Sequence, residues 1–131
     1  MDRCIDVSNA DGCRALVCDL GNGSWMACYS RCAIMYDTVM CTPWTCLHVE
    51  GSRLAVYHHS VLETIVGSVF EDRYPSNAVV LMIDLETGEN DPALSPYIVR
   101  YMMWKIVRDL ELCGVSIPGW LEIYLRSAGM I

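Results

Sequence analysis

The sequence predicts an all-α fold: about seven helices packed around one central apolar helix. Three observations carry this. Apolar residues recur at three- and four-residue steps from Ser52 to Phe70, at Leu54, Tyr57, Val61, Leu62, Ile65, Val66, Val69 and Phe70. The stretch Ala78–Leu85 is apolar almost all round, as expected of an element buried on every side. Finally, 131 residues that are 53% hydrophobic and 19% charged suit one compact domain spanning 1–131.

The elements follow in order. Asp11 to Leu20 reads as a short helix with Asp11 as N-cap. Gly21-Asn22-Gly23 stops it, and Ser24 caps a second helix from Trp25 to Met40 with one broad apolar side. Thr42-Pro43 breaks that helix, because the residue before proline is pushed out of helical geometry. An irregular segment runs to Gly51, the helix from Ser52 to Phe70 follows, and Tyr74-Pro75 closes it. Ala78–Leu85 is the central helix, although its valines and isoleucine also suit a buried strand and the run is too short for periodicity to decide. Gly88 to Pro96 is a loop. Tyr97 to Leu112 is helical and apolar on most of its circumference, Cys113-Gly114 ends it, and Pro118 starts a last helix with Trp120, Ile123, Tyr124 and Ser127 on one face.

Composition removes several functions. A net charge of -7, with nine scattered cations against sixteen anions, argues against a basic nucleic-acid surface. High hydrophobicity argues against disorder. The longest purely apolar run, Ala78 to Ile83, falls far short of the ~20 residues of a spanning helix. The polar start at Met1-Asp2-Arg3 does not resemble a secretory signal, and Glu122 and Arg126 interrupt the end, so a soluble chain without a transmembrane anchor is expected. Seven of eight cysteines lie between Cys4 and Cys46 without C-x2-C pairs, so the reading is buried free thiols in a reducing compartment and no metal.

No catalytic constellation emerges, and no enzyme activity or cofactor is expected. Adjacent His58 and His59 would point about 100° apart on a helix, so a solvated face accounts for them better than a shared site. Val79 to Glu86 has the form of an apolar strand ending in acids. That leaves a small α/β metal- or nucleotide-dependent enzyme, with Asp84 at a strand end, as the alternative. No phosphate-binding glycine loop accompanies it, and Lys105 is the only lysine. The surplus of apolar surface points instead to a groove that accepts a partner helix.

The segment Leu62 to Asp72 resembles the end of the fourth helix of the Bcl-2 family. Ala78–Leu85 resembles that family's central fifth helix and Tyr101-Met102-Met103-Trp104-Lys105 its sixth. Pro118-Gly119-Trp120 is similar to the Gly-Trp signature of its second homology region, and Thr42-Pro43-Trp44-Thr45 to a turn before the fourth helix. The chain departs where the family's first homology region carries Asn-Trp-Gly-Arg. Pro75, Ser76, Asn77 and Ala78 stand there, and Arg73 is the nearest cation. Small size and divergence resemble a viral homologue.

The resemblance implies an anti-apoptotic protein of the host cytoplasm, peripheral at mitochondria through its partners. It would sequester pro-apoptotic BH-3 helices over a narrow ligand range. The implied groove comprises Tyr29, Met35, Tyr36, Met40, Ile65, Val69, Arg73, Asn77, Ala78, Leu81 and Leu85, and a homodimer over the groove is expected. A BH-3-like string, Leu47 to Leu54, is read as coincidence because Gly51 would sit inside its helix.

Overall fold

The computed structural model describes residues 3–9 and 12–131. They form not a helical bundle but an eight-stranded antiparallel sheet with three helices. The strands are β1 (Cys4–Asp6), β2 (Cys13–Gly21), β3 (Ser24–Met35), β4 (Thr38–Cys41), β5 (Trp44–Glu50), β6 (Arg53–His59), β7 (Val79–Asp84) and β8 (Asn90–Asp91). The helices are α1 (Leu62–Phe70), α2 (Pro96–Leu112) and α3 (Gly119–Ser127). The sheet order is β1-β2-β3-β5-β6-β7-β8, with β4 paired to the far end of β3.

The sheet is covered on both faces. One face presents Ala15, Ala27, Tyr29, Leu47, Val49, Leu54, Val56, Leu81 and Ile83 to Val99, Met103, Ile106, Val107 and Leu110 of α2 and to Leu121 and Leu125 of α3. The other presents Cys18, Met26, Cys28, Cys46, Ala55 and Tyr57 to Ile65 and Val66 of α1, with Trp44 and Ala78. A strand buried on both faces alternates between two apolar layers rather than between apolar and polar, and so reads as a continuous apolar run. That is why the helices expected over Asp11–Leu20, Ala78–Leu85 and the first part of Trp25–Met40 are strands instead; the rest of Trp25–Met40 is the exposed end of β3, a turn at Tyr36-Asp37 and β4. Asp11 itself lies outside the described residues. The expected helix from Ser52 to Phe70 divides into β6 and the shorter α1.

Turn chemistry reinforces the sheet. Asn22 and Gly23 both have positive φ (52° and 77°), forming a two-residue hairpin loop between the paired Gly21 and Ser24. Gly51, at φ 59°, opens the turn between Glu50 and Arg53, so the BH-3-like string is a hairpin. The last two helices stand where the sequence places them. Ser95 caps α2 by accepting from the Ile98 N–H at 3.3 Å. Gly114 follows α2 at φ 84°, and the Val115 N–H returns to the Leu110 carbonyl at 2.8 Å.

The cysteines are not free thiols. Cys4–Cys18, Cys28–Cys46 and Cys32–Cys41 bridge directly opposed residues of neighbouring strands, and Cys13–Cys113 ties the start of β2 to the end of α2. Cross-strand register supplies the pairing that sequence spacing does not. No helix among the described residues is long and apolar enough to cross a membrane.

Candidate apolar interface

α2 crosses the sheet with Val99, Met103, Ile106, Val107 and Leu110 turned inward at helical spacing. Beyond its flank the sheet face continues, leaving an apolar groove of about 300 Å³. Tyr29 of β3, Thr45 of β5, Val56 and His58 of β6 and Val80 of β7 form its floor, and Tyr101, Met102, Lys105 and Ile106 of α2 form its wall.

Asp109 locks the groove's inner corner. It accepts a hydrogen bond from the Tyr29 hydroxyl at 2.9 Å and lies 3.6 Å from Lys105 Nζ and 3.9 Å from Arg31 Nη1. Burial, and then the Asp109 charge, push the Tyr29 hydroxyl well above the usual tyrosine range, so it stays a donor. On the floor, Thr45 Oγ1 lies 3.1 Å from His58 Nδ1.

The outer surface of α2 extends this apolar region. Tyr97 (84% exposed) and Tyr101 (62%) share a stripe with Trp104 and Leu112. The rings of Tyr101 and Trp104 are 6.5 Å apart, and the Arg108 guanidinium lies 5.1 Å over Trp104. Arg100, Lys105 and Arg108 are exposed on α2 and, against Asp109 and Glu111 of the same helix, leave it with a net charge of +1 on an otherwise acidic chain.

A second apolar feature is an arm. β3 and β4 run beyond the rest of the sheet as a two-stranded ribbon with Ile34, Met35, Tyr36, Val39 and Met40 all exposed. The Cys32–Cys41 bridge closes its base, and the Cys32 N–H donates to the Gly12 carbonyl at 2.6 Å. Gly12, at φ 81°, is required there because a Cβ would collide with the Cys32 carbonyl.

On the opposite face of the sheet, a polar cleft surrounds His48, Glu50, Arg53, Tyr57, Asp72 and Arg73. His48 Nδ1 lies 3.0 Å from the Tyr57 hydroxyl, and Nε2 has no hydrogen-bond partner among the described residues, with Glu50 Oε2 3.8 Å away. Burial pushes the Tyr57 hydroxyl up to about 12 and lowers the His48 ring.

The residues of the expected groove do not converge. Ile65, Val69 and Ala78 belong to the α1 layer, whereas Tyr29 and Leu81, with Leu85 packed against them, belong to the opposite layer. Met35, Tyr36 and Met40 are on the arm. Asn77 is exposed in the turn before β7, and Arg73, following α1, pairs with Glu71 at 2.6 Å. Of the expected set only Tyr29 lines the observed groove. Sequence reasoning passed over Val56, Val80, Tyr101, Met102, Lys105 and Ile106, although the wide apolar circumference of 97–112 already marked α2 as carrying more than one buried face.

Asp84 does end a strand, but its Oδ1 accepts from the Glu86 and Thr87 N–H groups at 2.8 and 3.2 Å and serves a turn. His58 and His59 are on a strand, not a helix, and His59 Nδ1 accepts from the Val61 N–H at 2.9 Å. Among the described residues no three His, Cys, Asp or Glu side chains group to hold a metal ion. Comparison with known proteins finds no match, whether to a family profile, a curated protein or a solved structure.

Proposed function

We propose that this protein is a binding module that takes an apolar, acid-flanked segment of a partner protein into the groove between α2 and the sheet. One observation carries the reading: an open apolar groove continues into an exposed row of Tyr97, Tyr101 and Trp104 on a helix that also carries three exposed cations. Tyrosine and tryptophan give large contact areas at small entropic cost, the composition that concentrates binding energy at interfaces. Arg100, Lys105 and Arg108 favour acidic residues beside the apolar anchor. The reading keeps the expectation that surplus apolar surface takes a partner, and moves it to a surface of different construction. Four disulfides persist where thiols stay oxidised, which favours an oxidising environment over the cytoplasm for the folded form.

Peptides with a central Trp, Phe or Leu flanked by glutamates, titrated against the labelled protein by NMR, test this. Shifts should centre on Tyr29, Val56, Val80, Tyr101 and Ile106. Val80→Lys should weaken binding at least tenfold, whereas Tyr36→Ser on the arm leaves it unchanged. Raising the salt should weaken binding. Shifts clustered elsewhere, or full affinity in Val80→Lys, would overturn the reading.

A further inference from the structure

The arm has a property the groove does not explain. Between Cys32 and Cys41 the only charged residue is Asp37, and Ile34 (77% exposed), Tyr36 (97%) and Val39 (64%) stand in solvent. Native sheets guard exposed edges with lysines, prolines or bulges, and an apolar edge without them is a template for pairing. β4 carries none of these along Thr38–Cys41, and among the described residues it pairs only with β3.

Hairpin geometry fixes which backbone groups are available. Tyr36 and Asp37 both have positive φ (51° and 62°), a two-residue loop flanked by the pair Met35–Thr38. Such a flanking pair exchanges hydrogen bonds, and bonding alternates along an antiparallel ladder. Thr38 and Met40 therefore turn their backbone groups toward β3. Thr42 continues that series, its N–H donating to the Arg31 carbonyl at 2.8 Å. Val39 and Cys41 turn theirs outward, away from β3.

We propose that β4 pairs antiparallel with β4 of a second copy of this chain, joining the two sheets across a two-fold axis at Met40. This register sets Val39 opposite the partner's Cys41 and Cys41 opposite the partner's Val39, so both outward residues on each copy are satisfied. Met40 meets its own mate on the axis. Asp37 falls opposite the partner's Pro43, beyond the paired segment, so no like charges face each other. Shifting the register toward the tip would recruit Asp37, whose left-handed backbone cannot extend a ladder. Shifting it toward the base runs into Pro43, which has no N–H to give. A second copy thus meets the edge with matched length, matched apolar side chains and no charge conflict. The Cys32–Cys41 bridge holds the ribbon ready, lowering the ordering cost of association.

Sedimentation equilibrium on the full chain, with salt added to screen the -7 charge of each copy, tests the pairing. The wild-type protein should be a dimer. Val39→Pro removes one outward N–H and leaves the β3 ladder intact, so it should raise the dimer dissociation constant at least tenfold. Val39→Thr should remain dimeric. In the wild-type protein, the Val39 and Cys41 amides should gain hydrogen-exchange protection as concentration rises, a readout that stands even if the proline variant misfolds. A monomer at high concentration, a Val39→Pro dimer of unchanged affinity, or concentration-independent exchange at both amides would each overturn the proposal. Peptide binding in the α2 groove is unaffected by any of these outcomes, so the two readings fail separately.

Discussion

His48 shows how much one side chain can hold back. The residue is only 7% exposed, with the Tyr57 hydroxyl beside one ring nitrogen and no hydrogen-bond partner for Nε2 among the described residues. Burial disfavours the charged imidazolium more than the Glu50 carboxylate favours it, so the folded-state pKa lies below the ordinary histidine value. The unfolded chain therefore binds a proton first as pH falls. Stability from this residue is complete above about pH 6.5 and declines as pH drops below it, by at most about 1.4 kcal/mol per pH unit. Urea unfolding of the wild-type protein from pH 7.5 down to 5 should show this decline. His48→Gln keeps a polar side chain without the titration and should flatten it. Equal slopes in the two proteins would show that another group carries the acid sensitivity.

At the scale of elements, β7 decides between the expected and observed architectures. Leu81 is fully buried, in the layer beneath α2 and α3, rather than on the floor of an open groove. Leu81→Ala should therefore cost about 2–5 kcal/mol by denaturant unfolding, the range for truncation in a closed core. A cost under about 1 kcal/mol would mean that the site is open to solvent. The same strand explains what was legible in the sequence. Helices α2 and α3 were readable because Gly114 ends the first and Pro118 starts the second, whereas Ser95 and Pro96, read as the end of a loop, are the cap and first residue of α2. The strands were not, because layers on both sides erase the two-residue alternation that normally betrays a strand. Two signals were nevertheless present. Asn22-Gly23 is a strong hairpin dipeptide, and Gly51 sits between two apolar runs; both fit a turn better than a helix end. The groove was less legible still, since Tyr29, Val56 and Val80 meet only through the register of four strands.

For the molecule as a whole, the question is what joins the three layers, and Cys13–Cys113 is the covalent link with the longest reach. It closes a loop spanning 100 positions and ties β2 to the end of the helix that walls the groove, whereas Cys32–Cys41 spans only 9 positions within one ribbon. A crosslink stabilises chiefly by restricting the unfolded chain, and that effect grows with loop length. The chain-entropy relation gives the long loop roughly 2 kcal/mol more than the short one. Cys13→Ala/Cys113→Ala should therefore lower the urea midpoint more than Cys32→Ala/Cys41→Ala does, with both variants keeping a strand-rich far-ultraviolet dichroism spectrum. The two losses should also separate functionally. The first variant should lose groove binding only at denaturant concentrations where it unfolds, and the second should weaken dimerisation at concentrations where it is fully folded, because its arm is no longer tied at the base. Equal midpoints would mean that residual structure in the unfolded ensemble already keeps β2 near the end of α2, so that the long crosslink restricts the chain no more than the short one does.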